Sequence, residues 1–194
     1  MSSILVQHPY IYTFDRKKVY PFALHPGMIS MIDLANGLGR ECRFGNQSDV
    51  FYSVAQHSVL IAQAVPKPLR LWALLHDASE AYTGDMPKPL KVAIQDFKAF
   101  ENQLSDVIFK AFGLDGSCPA LIKTVDERIV IDEALQLFRN PPDWAVESKE
   151  HRLGITLTPW SSEEARTIYL RILSRTWGLE LSQGQARRAL RIVK

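Results

Sequence analysis

The sequence predicts an all-α fold, a single-domain helical bundle. Apolar residues recur at three- and four-residue spacings through most of the chain, which is the pattern of helices with one buried face. Proline or glycine follows most of these periodic segments, where a helix is expected to end. The length of 194 residues favours one domain with a sizeable core.

Residues 1–27 are predicted to form an irregular arm ahead of the helical domain, which we assign to residues 28–194. Aromatic residues alternate loosely along this arm, at Tyr10, Tyr12, Phe14, Tyr20 and Phe22. Prolines interrupt the alternation, so the pattern fits either one short hairpin or an extended segment.

The first half of the domain is predicted to contain three helices. They are, in chain order, Ile29–Leu38 followed by Gly39, Val50–Val65 followed by Pro66, and Leu69–Tyr82 followed by Gly84. Proline cannot continue a helix and glycine readily adopts the conformation that ends one. Residues 40–49 are predicted to be a polar loop centred on Gly45, and Asp85 is a plausible N-cap for a short turn.

The second half is predicted to contain three further helices. They are, in chain order, Gln95–Phe112 followed by Gly113, Pro119–Phe138 followed by Asn140-Pro141-Pro142, and a last helix that ends at Trp177. That last helix begins with Ser161-Ser162-Glu163-Glu164, a capping box in which Ser and Glu satisfy each other's backbone amides. Residues 143–160 are predicted to be a loop.

Composition limits the function classes. The net charge of +2 is too small to indicate a nucleic-acid protein, although it suits a pocket for anionic ligands. Cys42 and Cys118 have no paired spacing, so we expect neither a disulfide framework nor a zinc ribbon, and a reducing cytosol is the default. The start MSSILVQHPYIYTF does not resemble a signal peptide, and no apolar run approaches the length of a membrane span.

One stretch, LLHDASEAYTGDMPKPLK, places acidic residues beside a buried-looking leucine stripe. Asp77, Glu80 and Asp85 all lie in it, together with His76. Burying carboxylates next to leucines is unfavourable unless a cation or hydrogen bonds compensate them. A bound metal ion is one such cation.

Two histidines are placed symmetrically about the turn at Pro66-Lys67. His57 lies nine residues before Pro66 and His76 nine residues after Lys67, so antiparallel packing brings both to the same height in the bundle. Asp77 adjoins His76, and Asp126 lies on the apolar face of a later helix. Two imidazoles and two carboxylates form a ligand set for a divalent ion with positions left for water and substrate. The plainer interpretation is a hydrogen-bonded core histidine and aspartates paired with Arg or Lys.

These residues also resemble a known family. The order His57, His76-Asp77, Asp126 is similar to the H…HD…D signature of HD-domain metal phosphohydrolases. The surrounding words CRFGNQSDVFYSVAQHSVLIA, LLHDASEAYTGDMPKPLK and IKTVDERI resemble the YfbR-like 5′-deoxynucleotidases and the phage deoxyadenosine triphosphohydrolases (DatZ-like). The resemblance covers roughly residues 28–138.

The resemblance implies a role for each matching residue. It implies metal ligation by His57, His76, Asp77 and Asp126, catalysis by Glu80 and Asp85, and substrate binding by Arg43, Phe44, Lys91 and Lys123. The implied cofactor is one divalent ion (Co, Zn, Mn or Mg), with a second one beside the substrate phosphates as an option. The chain departs from the family at Gln56, where relatives often carry Glu, and near Asn46, in loops expected to face the substrate.

Three functions follow as hypotheses. The first is a cytosolic enzyme that hydrolyses deoxynucleotides, either a 5′-nucleotidase or a dNTP triphosphohydrolase; Lys91 and Lys123 slightly favour the latter, and related enzymes form homo-oligomers. The second is a nucleotide-sensing module without turnover. The third is a helical scaffold with a structural metal, which predicts unfolding on metal removal. Neither nucleic acid nor membrane is expected as a partner.

Overall fold

The computed structural model describes residues 9–179. The expectations above for residues 1–8 and for residues 180–194 lie outside the described residues. Within residues 9–179 the chain is mostly helical, as the sequence predicts. No helix in this range is both long and apolar enough to cross a membrane.

The arm contains the hairpin, one of the two alternatives. Strands β1 (Ile11–Tyr12) and β2 (Lys18–Val19) pair antiparallel. The helices follow in chain order as α1 (Met31–Arg40), α2 (Val54–Ala64), α3 (Arg70–Leu75), α4 (Glu80–Thr83), α5 (Lys88–Ala93), α6 (Gln95–Ala111), α7 (Ala120–Leu137), α8 (Asp143–Glu147) and α9 (Ser162–Trp177).

Helix α2 lies at the centre of the domain, in contact with α1, α3, α7 and α9. Because these helices surround α2, its polar residues are buried together with its apolar ones. Gln56 is 1% exposed and His57 is fully buried. The helix starts at Val54, where Ser53 caps it by accepting a hydrogen bond from the backbone N–H of Gln56 at 3.2 Å. The predicted start at Val50 was therefore wrong, and Val50 is exposed.

The glycines of α1 allow close helix packing. The sequence predicted that Gly39 ends this helix, but α1 continues to Arg40. A Cβ on Gly39 would lie 2.9 Å from the backbone of Arg166 in α9, and one on Gly37 would lie 2.9 Å from the backbone of Ala81 in α4. The close approach of neighbouring backbones therefore requires glycine at both positions, and the end of the helix does not.

The predicted helix Leu69–Tyr82 is broken into α3 and α4 by a tight turn over residues 76–79. Within it the amides of Ala78 and Glu80 each donate at 3.0 Å to the carbonyl three residues earlier. Such a tightened turn rotates the following side chains relative to a regular helix. It contains His76 and Asp77. Gly84 ends α4 as predicted, with φ of 78°.

The structure confirms some of the remaining predicted helix boundaries and corrects others. Helices α6 and α7 match their predictions to within one residue at each end, and the capping box at Ser161 is present. Asp85 is not an N-cap: Pro87 precedes α5, and the N–H of Asp85 instead donates to Glu41 Oε1 at 3.0 Å. The predicted loop 143–160 contains α8, which begins at Asp143, an acid in the first turn that the helix dipole favours.

Candidate metal centre

The structure brings the two predicted histidines together. His57 on α2 is fully buried, His76 lies in the turn after α3, and their ring centroids are 5.3 Å apart. The spacing argument about the turn at Pro66 therefore gives the observed proximity. The two rings face the same point between α2 and α3.

Two carboxylates complete this cluster. Asp126 Oδ1 lies 3.1 Å from His57 Nε2, and Asp77 Oδ2 lies 3.1 Å from His76 Nε2 and 3.6 Å from His57 Nε2. The ligand atoms of His57, His76 and Asp126 all lie within 4.8 Å of one another. All four predicted ligands therefore face one small volume.

The hydrogen bonds of the two rings determine which nitrogen faces this volume. His76 Nδ1 donates to the carbonyl of Ala73 at 2.8 Å, and His57 Nδ1 lies 2.6 Å from Glu133 Oε1. Both Nε2 atoms are buried without a hydrogen bond of good geometry, although carboxylate oxygens lie close by. Bound Nδ1 and unpaired Nε2 atoms are the arrangement in which histidine ligates a metal. The residues fit a divalent cation on this ground.

Charges within the cluster are strongly coupled. Burial and Arg43 oppose protonation of His57, but Glu133 and Asp126 outweigh them and raise its pKa to about 10. Burial raises the pKa of Asp77, whereas His76, His57 and Arg43 lower it well below its usual range. Without a metal, the protein's own cations therefore compensate these carboxylates. A metal on His57 replaces the Nε2 proton.

Arg43 lies against the cluster and is only 11% exposed at its side chain. Its Nη1 lies 3.6 Å from Asp77 Oδ2, and its Nε lies 3.3 Å from Glu133 Oε2. The N–H of Arg43 donates to the carbonyl of Tyr52 at 2.9 Å, which fixes the loop ahead of α2. Arg43 is thus not a solvated loop arginine, and its planar fork is aimed at the candidate ligands.

The next three residues form a left-handed turn. Phe44, Gly45 and Asn46 have φ angles of 58°, 58° and 62°. Residues other than glycine rarely adopt positive φ angles, and such backbone strain is often found at functional sites. Phe44, predicted to contact substrate, packs edge-on against Phe138 with ring centroids 5.4 Å apart. Asn46 is exposed beside it.

Glu80 is 3% exposed and pairs with Lys91 on α5. Lys91 Nζ lies 2.7 Å from Glu80 Oε1, while Glu80 Oε2 is buried without a hydrogen bond. Burial, together with the charges of Asp77 and Asp85, raises the pKa of Glu80, and Lys91 opposes this shift. Asp85 is half-buried, and burial raises its pKa while Arg43 lowers it.

The lysines predicted to bind phosphate have different surroundings. Lys91 also contacts Glu101 at 2.9 Å, so two carboxylates already engage its ammonium. Lys123 is 79% exposed at its side chain and pairs with Glu127 at 3.9 Å. The structure therefore brings Lys91 to the site through Glu80 and leaves Lys123 at the surface of α7.

Gln56, expected to face substrate, holds a loop instead. Its Nε2 donates to the carbonyl of Thr158 at 2.9 Å, and its Oε1 accepts the N–H of Trp160 at 2.9 Å. Both hydrogen bonds cross to the segment before α9. The expectation that Gln56 faces the substrate was wrong, because backbone groups engage both the nitrogen and the oxygen of its side-chain amide.

An open surface depression of about 570 Å³ lies beside the loop that carries Arg43. It is lined by Arg40, Glu41, Cys42, Gly45, Asn46, Phe51 and Asp85. None of the four candidate metal ligands lines this depression, but Asp85 does, and the charges of Arg43 and Asp77 act on Asp85.

Sequence reasoning missed Glu133, a fully buried carboxylate on α7. It contacts His57, Arg43 and the hydroxyl of Tyr52, which donates to Oε1 at 2.8 Å. One signal was present: Glu133 is seven residues after Asp126, two turns along the same helix face.

No protein-family model matches the chain. The uncharacterized protein YfdR of Escherichia coli strain K12 is 39% identical over 117 residues, which are 60% of this chain and 66% of that relative. An uncharacterized protein of Rhodobacter capsulatus is 40% identical over 108 residues, 50% of this chain and 55% of that relative. The chain thus covers less than two thirds of these relatives, and their names state no activity.

Proposed function

We propose that this protein is a metal-dependent phosphohydrolase that cleaves the 5′ phosphoester of deoxynucleotides, within an HD-domain helical bundle. It acts on small-molecule nucleotides in the cytosol, as a homo-oligomer. The ordered motifs around His57, His76-Asp77 and Asp126 resemble those of such enzymes.

A single observation carries the proposal. His57, which is fully buried, and His76, whose side chain is 9% exposed, are each held through Nδ1, and their Nε2 atoms lie 3.1 Å from Asp126 and Asp77 respectively. His57, His76, Asp77 and Asp126 would hold one divalent cation. Such an ion neutralises charge on phosphoryl oxygens and activates water for attack near neutral pH.

The remaining residues supply binding and proton transfer. Arg43, beside Asp77, offers a planar donor fork that matches phosphate oxygens. Glu80 accepts the proton of the attacking water through its unpaired Oε2. The open depression at Asp85 would receive the nucleoside.

A sensing module without turnover is the second candidate, because one contact favours it. Lys91 occupies Glu80 Oε1 at 2.7 Å, and an ion-paired carboxylate is a weaker general base. In this case the protein binds the nucleotide through Arg43 and the metal and releases it unchanged.

The test uses chelator-stripped protein resupplied with Co²⁺, Mn²⁺, Zn²⁺ or Mg²⁺. It is incubated with dAMP, dATP and their ribose counterparts, and products are separated by ion exchange. We expect metal-dependent release of deoxynucleoside, with phosphate from dAMP or triphosphate from dATP. Stoichiometric nucleotide binding without product favours the sensing module.

Variants identify the site responsible. His57→Ala and Asp77→Asn should lose metal binding and product formation together, whereas His151→Ala, at a histidine 73% exposed at its side chain, should lose neither. Lys123→Ala distinguishes the two reactions. A 5′-nucleotidase should retain dAMP turnover, while a triphosphohydrolase that uses Lys123 should show a higher KM for dATP.

A further inference from the structure

Glu133 is a fully buried carboxylate with two hydrogen-bond donors and one ion-pair partner around it. Its Oε1 lies 2.6 Å from His57 Nδ1 and 2.8 Å from the hydroxyl of Tyr52, and its Oε2 lies 3.3 Å from Arg43 Nε. The donors belong to α2 and to the loop before it, whereas Glu133 belongs to α7. The carboxylate therefore joins two parts of the chain that are far apart in sequence.

The geometry limits how these groups can move. An isolated buried charge is highly unfavourable, so Glu133 is tolerated only while its donors stay in place. A carboxylate accepting from Nδ1 holds the imidazole ring so that Nε2 faces the opposite side, where Asp126 lies 3.1 Å away. The other oxygen attracts Arg43 as an ion pair without hydrogen-bond geometry, and Arg43 Nη1 lies 3.6 Å from Asp77 Oδ2.

We propose that Glu133 is a positioning residue that orients His57 towards the metal and Arg43 towards the substrate phosphate. This inference rests on the proposed function, since it assigns Glu133 a task at that site. Glu133 touches neither the metal nor the substrate and acts through these two side chains. One carboxylate thereby sets the spacing between the metal site and the anion-binding arginine.

Asp132 provides a matched control. It is the neighbouring acid on α7, is 2% exposed, and accepts hydrogen bonds from the backbone amides of Leu153 and Gly154 at 2.8–3.1 Å. It has no described contact with the candidate ligands among residues 9–179. A purely structural carboxylate on this helix should behave like Asp132.

The experiment compares Glu133→Gln, Asp132→Asn and the wild-type chain. Metal-free protein is titrated with Co²⁺, and the visible absorption of bound Co²⁺ is recorded with a competing chelator. Glutamine keeps an oxygen for His57 but removes the charge and turns an amide N–H₂ towards Arg43. We expect about 10- to 100-fold weaker Co²⁺ binding and a changed spectrum for Glu133→Gln. Asp132→Asn should lower thermal stability while leaving Co²⁺ affinity within about twofold.

Two further variants keep the test decisive if Glu133→Gln does not fold. Glu133→Asp keeps the charge but withdraws it by one methylene, and Tyr52→Phe removes a single donor. Both should weaken Co²⁺ binding, Tyr52→Phe by the smaller factor. Where product forms, Glu133→Gln should also raise KM through Arg43, and Asp132→Asn should not.

The outcomes separate the inference from the proposed function. Unchanged Co²⁺ affinity and spectrum in the Glu133 variants, with normal binding by the wild type, would overturn the positioning role alone. Normal Co²⁺ binding without product from any nucleotide would overturn the enzymatic function, and the affinity ratio would still decide the role of Glu133. A wild-type chain that binds no Co²⁺ would overturn both.

Discussion

Lys91 Nζ lies 2.7 Å from Glu80 Oε1 and 2.9 Å from Glu101 Oε1. The three side chains join α4, α5 and α6. Burial lowers the pKa of Lys91, but the two carboxylates outweigh it and raise that pKa above its ordinary value. Lys91 therefore stays charged and compensates the buried Glu80.

Lys91→Met should destabilise the protein, because it leaves Glu80 buried without its cation. Breaking a buried pair costs about 3–5 kcal/mol, and the partial exposure of Lys91 favours the lower end. Urea denaturation of the metal-free protein measures the change. Lys88→Met on the exposed side of α5 is the control, and equal stability of the two variants would contradict a compensating role.

Glu80→Gln should abolish turnover while retaining the metal. Its side chain is not among the four candidate ligands, and amides do not accept a proton from water. We expect kcat to fall by about 10²-fold or more with Co²⁺ affinity unchanged. Glu127→Gln on α7, at a residue 54% exposed at its side chain, should retain full kcat. Near-normal kcat in Glu80→Gln would remove Glu80 from the catalytic role.

Gly37→Ala and Gly39→Ala should each destabilise the fold. The new Cβ atoms would lie 2.9 Å from backbone atoms of Ala81 and Arg166, which cannot move aside as flexible side chains can. Overpacking costs about 1–3 kcal/mol, and alanine's higher helix propensity returns about 1 kcal/mol at most. Gly27→Ala meets only the side chain of His25 and serves as the control. Denaturation midpoints at or above wild type would refute the packing role.

Gln56→Glu should lower the free energy of unfolding without altering which nucleobase the substrate must carry. Glutamate keeps an acceptor for the N–H of Trp160. Its second oxygen, however, faces the carbonyl of Thr158, to which Gln56 Nε2 donates in the wild-type chain. We expect a loss of about 1–3 kcal/mol. Thermal melts and relative kcat/KM for dAMP against dGMP test this pair of statements. A changed base ratio at unchanged stability would restore Gln56 as a substrate residue.

Cys118 should react slowly with iodoacetamide and faster at higher pH. Burial, followed by the negative charges of Asp77 and Asp126, raises its pKa to about 11. The thiolate is the reactive form, and only about one thiol in a thousand is deprotonated at pH 8. The reaction rate should therefore rise with pH up to about 11. In a Cys42→Ser background, Co²⁺ should speed the reaction by neutralising those carboxylates. A rate that is flat between pH 8 and 10 would contradict the raised pKa.

Local periodicity in the sequence predicts the helices α6 and α7 and the capping box of α9 closely. It also pairs His57 with His76, since equal distances from one turn translate directly into equal height. The boundaries that sequence misplaced depend on neighbours. Gly39 lies inside α1, where the approach of α9 leaves no room for a Cβ, and the tight turn over residues 76–79 divides the predicted helix into α3 and α4.

The kinds of residue available for chemistry, and their places along each helix, follow from the sequence alone. Which buried polar group partners which was decided only in the folded chain. Glu133 meets His57 across 76 positions, and Gln56 meets Thr158 across 102. Helical spacing reports neighbours three or four residues apart, whereas burial of a charge depends on donors that other elements bring to it. The tertiary structure therefore decided that Lys91 faces Glu80, that Gln56 holds a loop and that Arg43 lies against the cluster.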